Sequence, residues 1–173
     1  FLVEDESIVR EGLKNNIPWQ EYGYQFTGEA SDGEMALPML RKIRPDVLLT
    51  DIKMPFMDGL ALSQIVTQEI PEMKIVIISG YDEFEYAQQA IRLGVEQYLL
   101  KPITKNTLKK VLLELREKIE TEQEQKNYLE TFQNEMKEYE NYARRSFLEN
   151  VFGGVFTVQQ IYEEAAMLSL DLD

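Results

Sequence analysis

The sequence predicts an α/β fold in which helices cover both faces of a parallel sheet. Apolar segments typical of strands alternate with amphipathic segments typical of helices five times, and the connections between them are short. Residues 74–79 contain four consecutive Ile and Val residues, the most strand-like run of the chain. A continuous apolar run is expected of a strand covered on both sides. We therefore expect a doubly wound sheet of five parallel strands.

Short apolar patterns mark the first two strands and the first helix. Residues 1–3 are an apolar strand, and Ser7 is a plausible start for the helix that Pro18 ends. Residues 24–30 alternate weakly between apolar and polar types and predict the second strand. The apolar face expected for the first helix consists of Ile8, Leu13 and Ile17.

The second helix is predicted after a turn at residues 31–33, and a proline disturbs its pattern. Its apolar residues are Met35, Leu37, Leu40 and Ile43. Pro38 lies among them, and an interior proline removes a backbone hydrogen bond and clashes with a carbonyl, at about 3 kcal/mol. We therefore expect either a kink or a helix that begins later than the pattern suggests.

The same alternation continues up to the fifth helix. Pro45, Pro71 and Gly94 separate its segments, because proline and glycine end regular structure. The expected segments are a strand at 47–51, a helix at 59–69, a strand at 74–79, a helix at 84–93, a strand at 97–100 and a helix that begins near Thr104.

Composition restricts the class of protein. The chain has 173 residues, of which 44% are hydrophobic, so it can bury a core. It has no cysteine and no histidine, which excludes disulfides, thiolate metal sites and imidazole chemistry and fits a reducing cytoplasm. No apolar run approaches the roughly 20 residues that span a bilayer. The net charge of −13 disfavours direct binding to nucleic acid, which depends on Lys and Arg.

Polar residues follow four of the five predicted strands, and the carboxyl ends of parallel strands share one edge of a sheet. Strand one is followed by Glu4 and Asp5, strand three ends at Asp51, strand four at Ser79, and Lys101 follows strand five. Crowded carboxylates need a cation, and oxygen ligands select a hard ion such as Mg²⁺. A carboxylate can also act as a nucleophile toward phosphorus. The purely structural alternative is that Lys101 neutralises the acids and Ser79 caps a helix.

With their neighbours, these residues resemble the receiver domain of two-component response regulators, over residues 1 to about 120. The match consists of the Glu4-Asp5 pair, Thr50-Asp51-Ile52-Lys53-Met54-Pro55-Phe56-Met57-Asp58-Gly59, Ser79, Tyr98 and Lys101-Pro102. Residues 17–19, 79–87 and 98–102 resemble one bacterial subgroup, in which a helical region and an AraC-type helix-turn-helix domain follow. The resemblance implies a flavodoxin-like sheet of strand order 2-1-3-4-5.

The resemblance also implies phosphoryl transfer at Asp51. This residue would accept the phosphoryl group from a phosphohistidine on a sensor histidine kinase, as a regulatory phosphoacceptor and not as a turnover enzyme. Lys101 would pair with the phosphoryl group, and its peptide bond to Pro102 would be cis. Ser79 and Tyr98 would form the switch, since Ser79 would bond a phosphoryl oxygen and Tyr98 would turn inward behind it.

For the metal, the resemblance implies a Mg²⁺ site. Asp5, Asp51 and the backbone carbonyl of Lys53 would hold the ion, and Glu4 would act largely through water. Glu4 replaces the commoner Asp, which adds one methylene group and should leave magnesium binding intact. Lys53 and Tyr81, which flank the site, would tune the lifetime of the phosphate.

The fifth helix is expected to continue far beyond the receiver. From Thr104 to about Phe147 there is neither proline nor glycine, and charged residues are dense. Its apolar residues follow a heptad-like spacing that breaks and resumes in a shifted register: Leu108, Leu112, Leu115 and Ile119, then Leu129, Phe132, Met136, Tyr139 and Ala143. We interpret this as a dimerising helix that carries the signal. The alternative is a helix that folds back onto a following domain.

The expected organisation has three parts. Residues 1–120 form the receiver, 121–150 a helical or coiled-coil linker continuous with helix five, and 151–173 the start of a following domain. Gly153-Gly154 would end the long helix, and Thr157 would cap another. Because Phe1 is not a start methionine and an apolar run stops at the last residue, we expect a fragment of a longer regulator. We expect it to dimerise through helix four, strand five and helix five, or through the long helix, and to reach DNA only through a domain outside this chain.

Three other functions fit part of the pattern. Haloacid-dehalogenase-like phosphatases also use a nucleophilic aspartate and Mg²⁺, but they place a second Asp where this chain has Lys53. A receiver that acts only through protein partners fits the same site, although the long helix argues against a stand-alone receiver. A receiver that switches without phosphate is disfavoured by the complete set of site residues.

Overall fold

The computed structural model describes residues 1–80 and 84–170 of the chain. Within them, five strands form one parallel sheet of order β2-β1-β3-β4-β5, as predicted. The strands are β1 (Leu2–Val3), β2 (Glu29–Ala30), β3 (Val47–Asp51), β4 (Lys74–Ser79) and β5 (Gln97–Leu100). The helices are α1 (Ser7–Asn16), α2 (Gly33–Ile43), α3 (Gly59–Glu69), α4 (Phe84–Leu93), α5 (Lys105–Phe152) and α6 (Val158–Met167).

Residues 1–119 form one compact unit with a core on each face of the sheet. Strand β3 explains why both faces are apolar, because consecutive residues of a strand point to opposite sides. Leu48 belongs to the core under α2 and α3, whereas Val47 and Leu49 belong to the core under α5. All five residues of β3 are buried, so the Asp51 carboxylate at the end of the strand is largely shielded from solvent.

The second strand is shorter than predicted. It covers only Glu29–Ala30 and not residues 24–30. Tyr24 and Phe26 pack instead against the core under α5, and the Tyr24 hydroxyl donates to the carbonyl oxygen of Leu112 at 2.6 Å. The alternation in this segment therefore reflects packing against a helix and not strand pairing.

The apolar face predicted for α1 is wrong at one position. Ile8 is 85% exposed, whereas Leu13 and Ile17 pack into the core under α5. An α-helix turns by about 100° per residue, so a spacing of five residues places Ile8 about 140° from Leu13. The two side chains therefore cannot share one face.

Helix α2 accommodates its proline without a delayed start. The helix begins at Gly33, and the Asp32 side chain caps it by accepting from the Met35 backbone N–H at 2.9 Å. Pro38 lies inside the helix. The expectation of a later beginning is therefore wrong.

The first half of α5 packs against the sheet. Leu108, Leu112 and Leu115 are at most 4% exposed and pack with the strands of the sheet. The interpretation of these residues as a coiled-coil seam is therefore wrong, because heptad-like spacing is also that of a helix face laid on a sheet.

Residues 120–170 lie in a second compact unit, which contains the rest of α5 and helix α6. Its small core includes Phe147 and Ala165, with the ring of Phe156 at 6.2 Å from that of Phe147. Thr157 caps α6 in a reciprocal arrangement with Gln160, as the sequence suggested. Four apolar residues from the predicted second seam are exposed: Leu129, Phe132, Met136 and Tyr139.

Candidate functional site

One lysine joins two carboxylates at the carboxyl edge of the sheet. Lys101 Nζ donates to Glu4 Oε2 at 2.8 Å and to Asp51 Oδ2 at 2.8 Å. Glu4 follows β1, Asp51 ends β3 and Lys101 follows β5, so the strand order places their side chains together. Glu4 is 1% exposed and Asp51 is 7% exposed, which makes a cationic partner necessary for two ionised acids.

Backbone donors hold the second oxygen of each acid. The Ile52 N–H donates to Asp51 Oδ1 at 2.6 Å, and the Glu6 N–H donates to Glu4 Oε1 at 3.2 Å. The Arg10 side chain donates to the backbone carbonyl of Glu4 at 2.6 Å. The sequence pattern did not identify Arg10 as a residue of the site. A basic residue in the first turns of a helix that follows an acidic loop could have indicated it. The carboxylates are thus oriented from several directions.

Burial and charge act in opposite directions at this site. Burial disfavours the ionised form and raises the pKa of Glu4, and the hydrogen bond from Lys101 only partly opposes the rise. Burial also works against the charge of Lys101, but hydrogen bonds to Asp51 and Glu4 outweigh it and raise the pKa of the ammonium. Lys101 is therefore a stable cation in this environment.

Three acids fit a hard divalent cation. Glu4, Asp5 and Asp51 each offer a carboxylate oxygen, and these oxygens lie within 4.8 Å of one another. Asp5 is exposed, so the cluster has a solvent-facing side. Lys53, whose backbone carbonyl the resemblance implied as a further ligand, is exposed, and its ammonium lies 5.5 Å from the centre of the Tyr86 ring.

The predicted switch residues lie on β4 and β5. Ser79 is fully buried at the end of β4, and its backbone carbonyl accepts from the Lys101 N–H at 2.8 Å. Tyr98 is half-buried and packs against the core under α2 and α3. The bond from Lys101 to Pro102 is cis, as the resemblance implied. Tyr81 lies outside the described residues.

The start of α3 lies close to the site, which the sequence pattern does not reveal. A Cβ atom on Gly59 would collide with the carbonyl oxygen of Asp51. The Gly59 N–H donates to the Ile52 carbonyl at 2.8 Å, and Asp58 caps the helix by accepting from the Ala61 N–H at 2.7 Å. Gly59 thus lets the start of α3 press against the end of β3.

Comparison with known proteins defines the class. Residues 1–113 match the response regulator receiver domain, and the chain therefore belongs to the response regulator receiver family.

Its relatives include transcriptional regulators. It is 32% identical over 155 residues to the uncharacterized transcriptional regulatory protein YesN of Bacillus subtilis, covering 90% of this chain and 42% of that protein. It is 37% identical over 111 residues to the transcriptional regulatory protein HptR of Staphylococcus aureus, covering 64% of this chain and 43% of that protein. The chain thus spans less than half the length of these relatives.

Solved structures agree with the fold. The receiver domain of AraT, a response regulator from Geobacillus stearothermophilus, is 45% identical with a TM-score of 0.67, covering 70% of this chain and 95% of that one. A two-component transcriptional regulator AraC from Clostridium phytofermentans is 32% identical with a TM-score of 0.63, covering 72% and 95%. Among the described residues, no helix has the length and apolar character needed to cross a membrane.

Proposed function

We infer that this protein is a phosphorylation-controlled response regulator and that Asp51 is its phosphoacceptor. The observation that carries the proposal is the buried Asp51 carboxylate at the end of β3, held by Lys101 beside two further acids. The donor would be a phosphohistidine on a sensor histidine kinase. An Asp51 oxygen would attack phosphorus as the bond from phosphorus to the histidine nitrogen breaks, and the freed nitrogen would take a proton from solvent.

Each neighbour has a role in this reaction. Asp51 supplies the nucleophile, while the Lys101 ammonium neutralises negative charge on the transferred group. Ser79, at the end of β4, would donate to a phosphoryl oxygen after transfer, and Tyr98 would turn inward behind it. Ser79 and Lys101 are already joined through the backbone, which supports a coupled movement of the two strand ends.

Mg²⁺ is the cofactor that this donor set favours. Glu4, Asp5 and Asp51 provide oxygen ligands, and the Lys53 carbonyl is proposed as another. The ion would spread the negative charge of the transferred group over metal and protein. The resemblance to receiver domains implies that Lys53 and Tyr81 flank the site, and we propose that they tune the lifetime of the phosphate.

A labelling experiment tests the reaction. Incubation with acetyl phosphate and Mg²⁺ should add one phosphoryl group to the wild-type protein, as measured by intact mass. Asp51→Asn should remain unlabelled, because an amide is a poor nucleophile. Asp46→Asn, in the turn before β3, is the matched control and should be labelled like the wild type. Equal labelling of Asp51→Asn and wild type would refute the assignment of the phosphoacceptor.

The proposed output is a change in association that regulates transcription. Apolar side chains are exposed on α4, β5 and the first half of α5: Phe84, Ile91, Leu100 and Leu113. A phosphoryl group adds nearly two negative charges and three acceptor oxygens, which is enough to bias a two-state domain. We propose that this face, the long helix, or both form a homodimer, and that DNA is bound through a part of the protein outside this chain.

Sedimentation tests the output separately from the chemistry. The dimer association constant should rise when the protein is treated with beryllofluoride, which imitates the phosphoryl group at Asp51. Ile91→Ser should weaken this rise, because it removes an apolar side chain from the proposed face without touching the site. An unchanged association constant in treated wild-type protein would refute the dimerisation step and leave the labelling result intact.

A further inference from the structure

The Glu4 side chain is buried within the acidic cluster at the end of β1. Both of its oxygens are engaged by protein donors, Oε2 by the Lys101 ammonium at 2.8 Å and Oε1 by the Glu6 N–H at 3.2 Å. The residue is 1% exposed, whereas its neighbour Asp5 is exposed. The two acids that follow β1 are therefore differently placed, one toward Lys101 and one toward solvent.

The length of the Glu4 side chain is what makes this contact. An aspartate is shorter by one carbon–carbon bond, or about 1.5 Å. From the same backbone position its carboxylate would stop about 4 Å from the ammonium, which is beyond hydrogen-bonding distance. The Arg10 side chain on the Glu4 carbonyl and the Glu6 N–H on its carboxylate keep that position fixed.

We propose that Glu4 is a positioning residue for Lys101, which it holds beside Asp51 before the phosphoryl group arrives. The proposal rests on the function proposed above and assigns Glu4 a role other than metal binding through water. A lysine side chain has several rotatable bonds, and two carboxylates at 2.8 Å fix its end at the reacting atom. Positioning before reaction lowers the entropic part of the barrier.

Two substitutions separate the effect of side-chain length from the effect of charge. Glu4→Asp keeps the negative charge but shortens the side chain. Glu4→Gln keeps the length of the side chain and removes its charge, and its amide oxygen can still accept a hydrogen bond from Lys101. If Glu4 acts by positioning, labelling by acetyl phosphate at saturating Mg²⁺ should be fastest in wild type, slower in Glu4→Gln and slowest in Glu4→Asp, by about tenfold. If Glu4 acts as a charged metal ligand, Glu4→Asp should be the faster of the two variants.

Nuclear magnetic resonance of the lysine ammonium groups shows whether Lys101 is held in place, and it does so without phosphorylation. The Lys101 ammonium signal, assigned by its loss in Lys101→Met, should persist in wild type and in Glu4→Gln and broaden through solvent exchange in Glu4→Asp. Calorimetry should give Mg²⁺ affinities for wild type and Glu4→Asp that agree within about twofold. Glu11→Asp removes the same methylene from an exposed residue of α1 that makes no contact with the site residues that the structure describes, and it is the matched control, expected to behave as wild type.

The outcomes separate the two proposals. A Glu4→Asp variant that is labelled at least as fast as Glu4→Gln, or that keeps the Lys101 signal, overturns the positioning role alone. A wild-type protein that keeps the Lys101 signal but takes no label overturns the proposed function, and the role of Glu4 in the reaction falls with it. Thermal unfolding of each variant in the same buffer checks that the comparisons are made on folded protein.

Discussion

Gly59 links the functional site to the packing of α3 at the scale of one residue. Its Cα lies so near the Asp51 carbonyl that a side chain has no room there. We predict that Gly59→Ala lowers the free energy of unfolding by about 2 kcal/mol or more, because the obstructing atom belongs to the backbone. Urea denaturation measures the change.

A second helical glycine is the control for this prediction. A Cβ atom on Gly12 of α1 would meet only the Asn16 side chain, at 3.9 Å. Gly12→Ala should therefore stabilise the protein by about 0.5–1 kcal/mol, since alanine favours a helix. A loss of stability in both variants would contradict the steric explanation for Gly59.

The residues of the site were predictable as a group, and so was the pairing of Lys101 with acids, but the particular atoms in contact were not. Asp51, Ser79 and Lys101 could be placed together because parallel strands end along one edge. The direct contact of Glu4 with Lys101 depends on side-chain length and local hydrogen bonds, which a pattern of strands does not contain. The steric role of Gly59 is hidden for the same reason, since it depends on the distance between two backbones.

An ion pair connects helices α2 and α3 at the scale of elements. Arg41 donates two hydrogen bonds to the Glu69 carboxylate, at 2.7 and 2.6 Å. The hydrogen bonds from Arg41 lower the pKa of Glu69 below its ordinary value of 4.5. A lowered carboxyl pKa stabilises the folded state above that value, and this contribution is lost as the pH falls through the lowered pKa.

We therefore predict a pH-dependent effect of Arg41→Gln. The variant should be less stable than wild type at pH 7, and the difference should shrink below about pH 4 as Glu69 is protonated. Urea denaturation at both pH values measures it. Lys42→Gln removes the same charge from an exposed position of the same helix and serves as control. A difference that stays constant with pH would contradict the role of the ion pair.

The Tyr24 hydroxyl makes one of the contacts between α5 and the segment that joins α1 to β2. Tyr24 donates to the Leu112 carbonyl at 2.6 Å. We predict that Tyr24→Phe lowers the free energy of unfolding by about 1 kcal/mol, since it removes a hydrogen bond and keeps the ring. Tyr128→Phe makes the same change at a residue of α5 that is 71% exposed, and it should have little effect in the same denaturation experiment. Equal effects of the two substitutions would argue against the importance of this contact.

At the scale of the whole molecule, α5 belongs to two units with different surroundings. Leu112 is 1% exposed within residues 1–119, and Leu129 is 57% exposed within residues 120–170. We predict that Leu112→Ala costs about 2–5 kcal/mol of unfolding free energy, because it opens a cavity in the core. Leu129→Ala should change stability by about 0.5 kcal/mol at most in dilute protein.

Leu129→Ala also tests whether the second half of the helix is a dimer contact. If Leu129 lies at an interface between two chains, Leu129→Ala should lower the association constant in sedimentation experiments. An unchanged association constant would exclude this residue from the dimer contact. The association constant of Leu129→Ala does not depend on the folding stability of the receiver unit.

Sequence alone predicted that α5 is long but not what its apolar residues contact. Leu108 and Leu129 lie in patterns of the same kind, yet one is buried in a core and the other is exposed. Helical spacing identifies a face and leaves open whether a sheet, another helix or a second chain covers it. The strands were more predictable, because a continuous apolar run such as β4 has few alternatives to a covered sheet.

The Lys101 contacts join residues that lie 97 and 50 positions apart in the chain. During synthesis, the acids of β1 and β3 leave the ribosome well before the lysine that completes their site. An unfinished chain therefore has the carboxylates but lacks the ammonium group that holds them together. If the proposed function holds, a receiver built in this way would respond to a signal only after the last strand of the sheet is in place.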